Sequence, residues 1–371
     1  MSRPIRGVTL AVVFVVGIVT RLFTWVRNRV VHWLTAPIRL FRWVQRIRYD
    51  LRMGHRTGGD IVKSVLMTGL GVVLMLLLLF PIYWIFTASL ADGERLLVVD
   101  AGGIFPDTDT YGLDAYRWVF FESDFFFEDG DWGYPAIEVG GSGLVPLSLT
   151  WIGTETGPGA LFNSLYIVTV TVVVGFLLIV PSAYALSRGR FLGRKKFLYG
   201  YILFTQVGAG LSIATLIALY AVFTQAGLTN SLFILGVFYA AGAIPFNTWL
   251  LKTYMDSIPV SYEEAARVDG AGFLRTMWEV IIPLSKPGLA VILIFLWLAG
   301  WNEFIIARTL LGPENYPLSV ELFQLAEEGE FVTPWSRFAA FASVFALPVA
   351  VLYFASQRYV ETGLSFGGME G

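Results

Sequence analysis

The sequence predicts an all-α membrane protein with six core transmembrane helices. Two observations predict this class: 56% of the 371 residues are hydrophobic, against about 45–50% in soluble domains, and the excess lies in long apolar runs. A hydrocarbon core about 30 Å thick takes about 20 helical residues to cross, and a backbone in lipid must satisfy its own hydrogen bonds. Six runs have this length, and we place them near 65–90, 161–187, 197–223, 229–251, 287–308 and 338–356.

The positive charges predict the orientation of these spans. In the six-span arrangement, 22 of the 26 Lys and Arg residues lie on one side, and Arg95, Arg117, Arg308 and Arg337 lie on the other. Because Lys and Arg concentrate in cytoplasmic loops, the basic side is predicted to face the cytoplasm. Both termini are then cytoplasmic, and the chain is expected to be a multi-pass protein of the cell membrane.

The first predicted outer loop, residues 91–160, is acidic and rich in aromatic residues. It carries thirteen Asp and Glu against two Arg. A loop of this length and composition is expected to fold as a small acidic extracytoplasmic domain. Two interpretations stay open, namely structural cover over the helix ends and a contact surface for an external protein.

A basic extension, residues 1–62, precedes the predicted membrane domain at 63–371. Its first apolar run is short for a span, and residues 40–51 have the pattern of a basic amphipathic helix, which suits an anionic membrane surface. We predict a region lying on the cytoplasmic leaflet. The alternative is an extra N-terminal helix that spans the membrane at about 7–26.

Several kinds of chemistry are excluded or disfavoured by the sequence. There are no cysteines, which excludes disulfides and thiolate metal sites. The chain has no G-x-x-x-x-G-K-[ST] phosphate loop and no G-x-S-x-G nucleophile elbow, so we expect a transport subunit and not an enzyme. A proton- or sodium-coupled transporter is a weaker alternative, because such proteins carry ionisable residues near the membrane midplane and Glu303 is almost the only candidate.

The polar loop at 252–287 is the segment expected to carry the function. Ser261 and Glu264 have the spacing of a capping box, which predicts a short helix over 262–269. Gly270 is expected to end that helix in the left-handed conformation. A second helix is predicted from Phe273 to Ile282, stopping at Pro283, so that two short helices form a compact knob under the membrane.

The same loop carries a residue pattern that resembles a known family. EEAARVDGA, followed ten residues later by IIPLSKP, resembles the EAA loop of ATP-binding-cassette (ABC) importer permeases. From about residue 61 to the C-terminus the chain is similar to the maltose-permease, or MalG-like, type of carbohydrate-uptake subunit. The segments that carry this similarity are FPIYWIFTASL, NSLYIVTVTVVVG, SAYALSRGRFLGRK, LIALYAVF, ENYPLSVELFQL and the glycine-containing tail GLSFGGMEG.

The resemblance implies a fold, partners and a substrate class. The fold is the type I ABC importer permease fold. The partners are a second, MalF-like permease subunit, two MalK-like ATPase subunits that bind the ATP and Mg, and an extracytoplasmic solute-binding protein; no nucleic acid is implied. This chain itself is expected to hold no cofactor. The implied substrate is a sugar of the maltose, maltodextrin or trehalose kind, and a non-sugar solute is the alternative.

The resemblance also assigns roles to three groups of residues. The contact with the ATPase falls on Glu263, Glu264, Ala265, Ala266, Asp269, Gly270 and Ala271. The tail that enters the ATPase dimer falls on Gly367, Gly368, Met369, Glu370 and Gly371. The contact with the binding protein falls on Asn315, Tyr316, Pro317, Leu318 and Ser319.

Polar residues inside the predicted spans are candidates for lining the solute path at the interface with the second permease. They are Gln206, Asn247, Asn302 and Glu303. A carboxylate at the membrane centre costs about 2.5–3.5 kcal/mol on insertion scales, so Glu303 is not expected to face lipid. For Glu303, an interhelix hydrogen bond near the outer surface is the alternative to a role in substrate passage.

Overall fold

The structure is a computed structural model of the whole chain. It describes residues 58–91, 112–121, 123, 134–139, 147–152, 159–189, 191–194, 196, 199–200, 203, 213–327 and 335–366. The predicted N-terminal extension therefore lies almost wholly outside the described residues, and the choice between a surface-lying region and an extra span stays a prediction. The chain divides into two compact units at Pro81.

The described residues are mainly helical. In chain order the elements are α1 (Gly58–Ser89), α2 (Asp114–Phe121), β1 (Tyr134–Val139), β2 (Leu147–Ile152), α3 (Ala160–Arg188), α4 (Ile213–Gln225), α5 (Leu232–Asp256), α6 (Ser261–Val268), α7 (Phe273–Thr276), α8 (Ile282–Leu284), α9 (Lys286–Trp301), α10 (Ile305–Leu310), α11 (Leu318–Glu327) and α12 (Trp335–Phe366). A π-helical turn, Met277–Ile281, joins α7 to α8, and a 3-10 turn, Pro313–Asn315, precedes α11.

Four helices in the described part of the chain are long and apolar enough to cross a membrane, namely α1, α3, α5 and α12. A fifth span results if Phe273–Leu284 and α9 are taken together, although the chain bends by 80° between them. Of the predicted span at 197–223, the described part is mainly α4, which covers 13 residues. The all-α membrane fold is confirmed, while the count of six spans stays a prediction.

The predicted span at 287–308 is wrong at its C-terminal end. Helix α9 ends at Trp301, and α10 begins as a separate helix at Ile305. The Glu303 carboxylate accepts the backbone N–H groups of Ile306 and Ala307, at 2.9 and 3.2 Å. A side chain that satisfies the first free N–H groups of a helix fixes its start, so the chain breaks here instead of continuing as one helix.

Helices α3 and α5 pack side by side and run in the same direction. Near the start of α5, the Thr171 hydroxyl donates to the Gly236 carbonyl at 3.1 Å, and near the C-terminal ends of both helices Ser187 Oγ donates to Asp256 Oδ1 at 2.7 Å. Gly236 allows the close approach, because a Cβ there would lie 2.7 Å from Val170 Cβ and 2.9 Å from the Ile167 carbonyl oxygen. Small residues at helix crossings are typical of membrane bundles.

Helix α9 runs antiparallel to α3 and completes the core. A Cβ on Gly175 would meet Leu296 at 2.6 Å, and one on Gly300 would meet Val168 and Thr171 at 3.1–3.2 Å. The buried Trp301 ring stacks between Trp297 and Phe345, at 5.6 and 5.5 Å between ring centroids. Its Nε1–H donates to the Phe345 carbonyl at 3.1 Å, which joins the end of α9 to α12.

The predicted outer loop at 91–160 contains α2 and a two-stranded antiparallel sheet, in which Tyr134 pairs with Ile152 and Val139 with Leu147. A folded loop was predicted from the sequence, but these strands were not. In α2, the Tyr116 hydroxyl lies 2.7 Å from Ser89 Oγ. This hydrogen bond places α2 beside the end of α1. The two interpretations of the loop, structural cover over the helix ends and a contact surface for an external protein, both stay predictions.

Candidate functional site

The polar loop between α5 and α9 begins with helix α6, one residue earlier than predicted. The capping box is wrong: the N-cap is Val260, its backbone is helical, and it provides no side-chain cap. The N–H groups of Glu263 and Glu264 donate to the Val260 carbonyl at 2.9 and 3.1 Å. Ser261 therefore already lies in the first turn and cannot serve as the cap.

The end of α6 is built as predicted. Gly270 has a φ of +80°, a conformation that glycine adopts without the steric cost of a Cβ. Its N–H donates to the Arg267 carbonyl at 3.0 Å, and the Ala271 N–H donates to the Ala266 carbonyl at 2.9 Å. This pair of bonds is a Schellman motif, which turns the chain sharply from α6 towards α7.

The second half of the loop differs from the single predicted helix. Helix α7 is four residues long, and the π-helical turn carries the chain into α8, which runs to Leu284. Pro283 does not stop the helix, because it occupies the first turn of α8, where its missing N–H removes no hydrogen bond. The break falls instead at Ser285, before α9.

Glu263 is buried and fixes α6 to the end of α3. Its side chain is 1% exposed, and its Oε1 lies 2.6 Å from Nε of Arg188, which is 15% exposed. The Tyr184 hydroxyl donates to Glu263 Oε2 at 2.9 Å, and Arg188 Nη2 donates to the Ile258 carbonyl at 2.8 Å. Removing one partner of a buried ion pair typically costs about 3–5 kcal/mol, because the other charge is left uncompensated.

A further contact holds α7 against the C-terminal end of α3. The Tyr184 ring meets the Phe273 ring edge-on, with centroids 5.4 Å apart, so one residue of α3 contacts both α6 and α7. The knob formed by α6, α7, the π-helical turn and α8 is thus attached at several points to the end of α3.

The opposite face of α6 is open. Glu264, Ala265, Val268 and Asp269 are exposed, and Val268 reaches 87% exposure. Ala266 and Ala271 are half-buried, and Gly270 is exposed. Among the residues predicted to contact an ATPase, Glu263 alone is buried, and in this structure it contacts its own chain.

The residues predicted to contact a binding protein lie at the other end of α3. Asn163 Nδ2 donates to the Tyr316 carbonyl at 3.2 Å, and the Leu318 N–H donates to Ser164 Oγ at 2.8 Å. Pro317, Leu318 and Ser319 are buried in the chain, and Asn315 and Tyr316 are half-buried.

The predicted path residues do not come together in the described part of the chain. Asn247 is buried and donates to the Ala243 carbonyl of its own helix at 2.8 Å. Glu303 accepts from the Tyr239 hydroxyl as well as from the start of α10, in agreement with the interhelix alternative. Asn302 is exposed at the end of α9. Gln206 and the tail residues Gly367, Gly368, Met369, Glu370 and Gly371 lie outside the described residues.

Sequence reasoning missed the residues that hold the knob. Arg188 and Tyr184 lie in the segment SAYALSRGRFLGRK, which carries the family resemblance, but neither residue was predicted to have a role. A usable signal was the doubled glutamate at 263 and 264. Adjacent positions of a helix point in different directions, so one of the two could face the bundle while the other faces outward.

Comparison with known proteins identifies the class. Residues 172–366 match the family described as "Binding-protein-dependent transport system inner membrane component". The chain belongs to this family, and its membrane helices agree with an inner-membrane permease component of an ABC importer.

Two individual relatives show which permeases of this family the chain resembles. The chain is 37% identical over 210 residues to the galactooligosaccharides transport system permease protein GanQ of Bacillus subtilis, covering 56% of this chain and 73% of the relative. It is 35% identical over 217 residues to the maltose/maltodextrin transport system permease protein MalG of Escherichia coli K12, covering 57% and 72%. It is therefore a MalG-like permease subunit.

A solved structure supports the fold. A chain from the crystal structure of a bacterial ABC transporter involved in the import of the acidic polysaccharide alginate superposes with a TM-score of 0.63. The sequence identity is 25%, and the match covers 82% of this chain and 99% of that one. The type I importer fold predicted from the resemblance is confirmed.

Proposed function

We propose that this chain is one of two permease subunits of an ATP-driven importer, and that it moves an oligosaccharide into the cell. The relatives named for a substrate carry galactooligosaccharides, maltodextrin or maltose, and the similar solved structure serves alginate import. These substrates share a chain of linked sugar rings, which supports an oligosaccharide over a smaller solute.

In this proposal, the movement of the ATPase reaches the permease through α6. The observation that carries this proposal is the open face of α6, on which Glu264 and the strongly exposed Val268 lie one turn apart. An apolar side chain exposed beside charged ones suits a protein contact. The sequence has no phosphate loop, so ATP and Mg are bound by the partner ATPase, and α6 seats in a cleft of that subunit.

The orientation predicted from the positive charges supports a position for each of the remaining partners. With the basic loops cytoplasmic, α6 lies inside and the segment around Asn315 and Tyr316 lies outside, where a solute-binding protein delivers the sugar. The sugar crosses at the interface with a MalF-like second permease. ATP-driven closure of two MalK-like subunits moves the knob and biases the bundle between inward-open and outward-open states.

Reconstitution tests this proposal. The complete complex is placed in proteoliposomes with its binding protein outside and ATP inside. Labelled maltodextrin, galactooligosaccharide, alginate oligomers and amino acids are offered. We expect ATP-dependent uptake of at least one of them. ATP-dependent uptake of an amino acid but of no sugar would establish the non-sugar alternative. Uptake that needs no ATPase and collapses with an ionophore would establish a secondary transporter.

A further inference from the structure

We propose that Glu263, Arg188 and Tyr184 form a positioning group that makes α6 and α3 move as one body, so that α3 transmits the ATPase movement to the outer face. This inference rests on the proposed function, because it takes α6 to be the part that the ATPase moves. The proposed group lies within this chain, behind the docking face, and is separate from the contact with the ATPase.

The burial of Glu263 separates it from the docking face. Its carboxylate is enclosed by its own chain, and both oxygens have partners, one on Arg188 and one on Tyr184. Charge-assisted hydrogen bonds are about twice as strong as neutral ones and fix direction as well as distance. Glu264, the next residue, is exposed. The two adjacent glutamates thus have different roles: Glu264 faces a partner, and Glu263 faces α3.

Helix α6 needs such an attachment. It has only eight residues, and isolated helices shorter than about 12–15 residues are marginal in water. Arg188 also binds the Ile258 carbonyl just before α6, so it fixes both the helix and the segment that leads into it. A push on α6 therefore reaches α3 through the shortest polar contacts between them.

Helix α3 is suited to carry that movement across the membrane. It has 29 residues, which corresponds to about 43 Å of helix. Tyr184 and Arg188 lie at one end, and at the other end Asn163 and Ser164 hold the backbone of Tyr316 and Leu318. One continuous helix thus contacts both the ATPase-docking knob and the segment proposed to meet the binding protein.

The test compares two glutamates of the same loop in the complete reconstituted transporter. Glu263→Gln keeps the shape but removes the charge of the anchor. The matched control is Glu279→Gln, because Glu279 pairs with Arg275 one turn away at 2.9 Å, with both side chains about 60% exposed or more. This pair lies within the knob and does not connect it to α3. The readout is ATP hydrolysed per sugar imported.

We expect this ratio to rise at least about fivefold in Glu263→Gln, the lower end of typical coupling energies, and to match wild type in Glu279→Gln. Arg188→Lys keeps the charge but loses the second donor, and Tyr184→Phe loses one bond, so both should give smaller rises and report even if Glu263→Gln fails to assemble. Wild-type ratios in all three anchor variants would overturn the inference. Absence of ATP-dependent uptake in the wild-type complex would instead overturn the proposed function.

Discussion

The packing of α5 on α3 yields a prediction whose size can be worked out from the structure. In Gly236→Ala the new Cβ would sit 2.7 Å from Val170 Cβ and 2.9 Å from the Ile167 carbonyl oxygen. The second contact is with helix backbone, which cannot rotate away, so α5 must move outward. Overpacking of this kind costs about 1–3 kcal/mol.

The same displacement weakens the Thr171–Gly236 hydrogen bond, and such interhelix bonds contribute about 0.6 kcal/mol on average in membranes. Alanine gains up to about 1 kcal/mol over glycine in helix propensity. The net effect is a loss of about 1–3 kcal/mol in the free energy of unfolding, since the two smaller terms nearly cancel.

The control lies on the same helix. A Cβ on Gly242 meets nothing within 4 Å, so Gly242→Ala should be neutral or stabilising by up to about 1 kcal/mol. Unfolding of the purified chain, titrated with SDS in mixed micelles, measures both variants. Equal stabilities of Gly236→Ala and Gly242→Ala would refute the close-packed α3–α5 contact.

Three further predictions concern the contact between Asn230 and Gly312, the end of α6, and the carboxylate at the start of α10. Asn230 has a φ of +58°, and its side-chain oxygen accepts the Gly312 N–H at 2.8 Å. Both Asn230→Ala and Asn230→Gly remove this acceptor, but alanine also adds about 1–2 kcal/mol of left-handed strain. Asn230→Ala should therefore speed amide hydrogen exchange at Gly312 more than Asn230→Gly does. Gly270→Ala should carry a similar strain and lower ATP-driven uptake. Gly270→Asn should retain more of that uptake, because asparagine tolerates this φ. Equal uptake in the two variants would count against a need for the left-handed conformation at the end of α6. Glu303→Gln should lower stability by about 1–3 kcal/mol and leave the KM for sugar unchanged; a raised KM would return Glu303 to the solute path.

The long apolar helices were predictable because a helix that crosses the membrane requires a continuous run of about 20 apolar residues. The predicted spans at 161–187 and 229–251 correspond to α3 and α5 with ends shifted by at most five residues. The left-handed Gly270 was predictable for a local reason, since a glycine after a short polar helix is a common helix stop. These features depend on neighbouring residues or on solvent alone.

The features that were missed depend on contacts between distant segments. The break after Trp301 follows from the Glu303 carboxylate capping α10 and meeting Tyr239 on another helix. The anchoring role of Glu263 follows from Arg188 and Tyr184, which lie more than 70 residues earlier. Neither partner could be chosen from spacing, because many polar residues compete for each position until the helices are packed.

The open face of α6 is proposed to dock the ATPase, and the affinity of the cognate ATPase for this permease tests that docking most directly. The permease pair is held in nanodiscs, and the Kd is compared for wild type, Glu264→Lys and the control Glu279→Lys. Reversing a charge at a protein contact costs about 2 kcal/mol or more, so we predict a Kd at least about 30-fold weaker for Glu264→Lys and a nearly unchanged Kd for Glu279→Lys. A wild-type Kd for Glu264→Lys, with the protein present at normal levels in the membrane, would contradict the account.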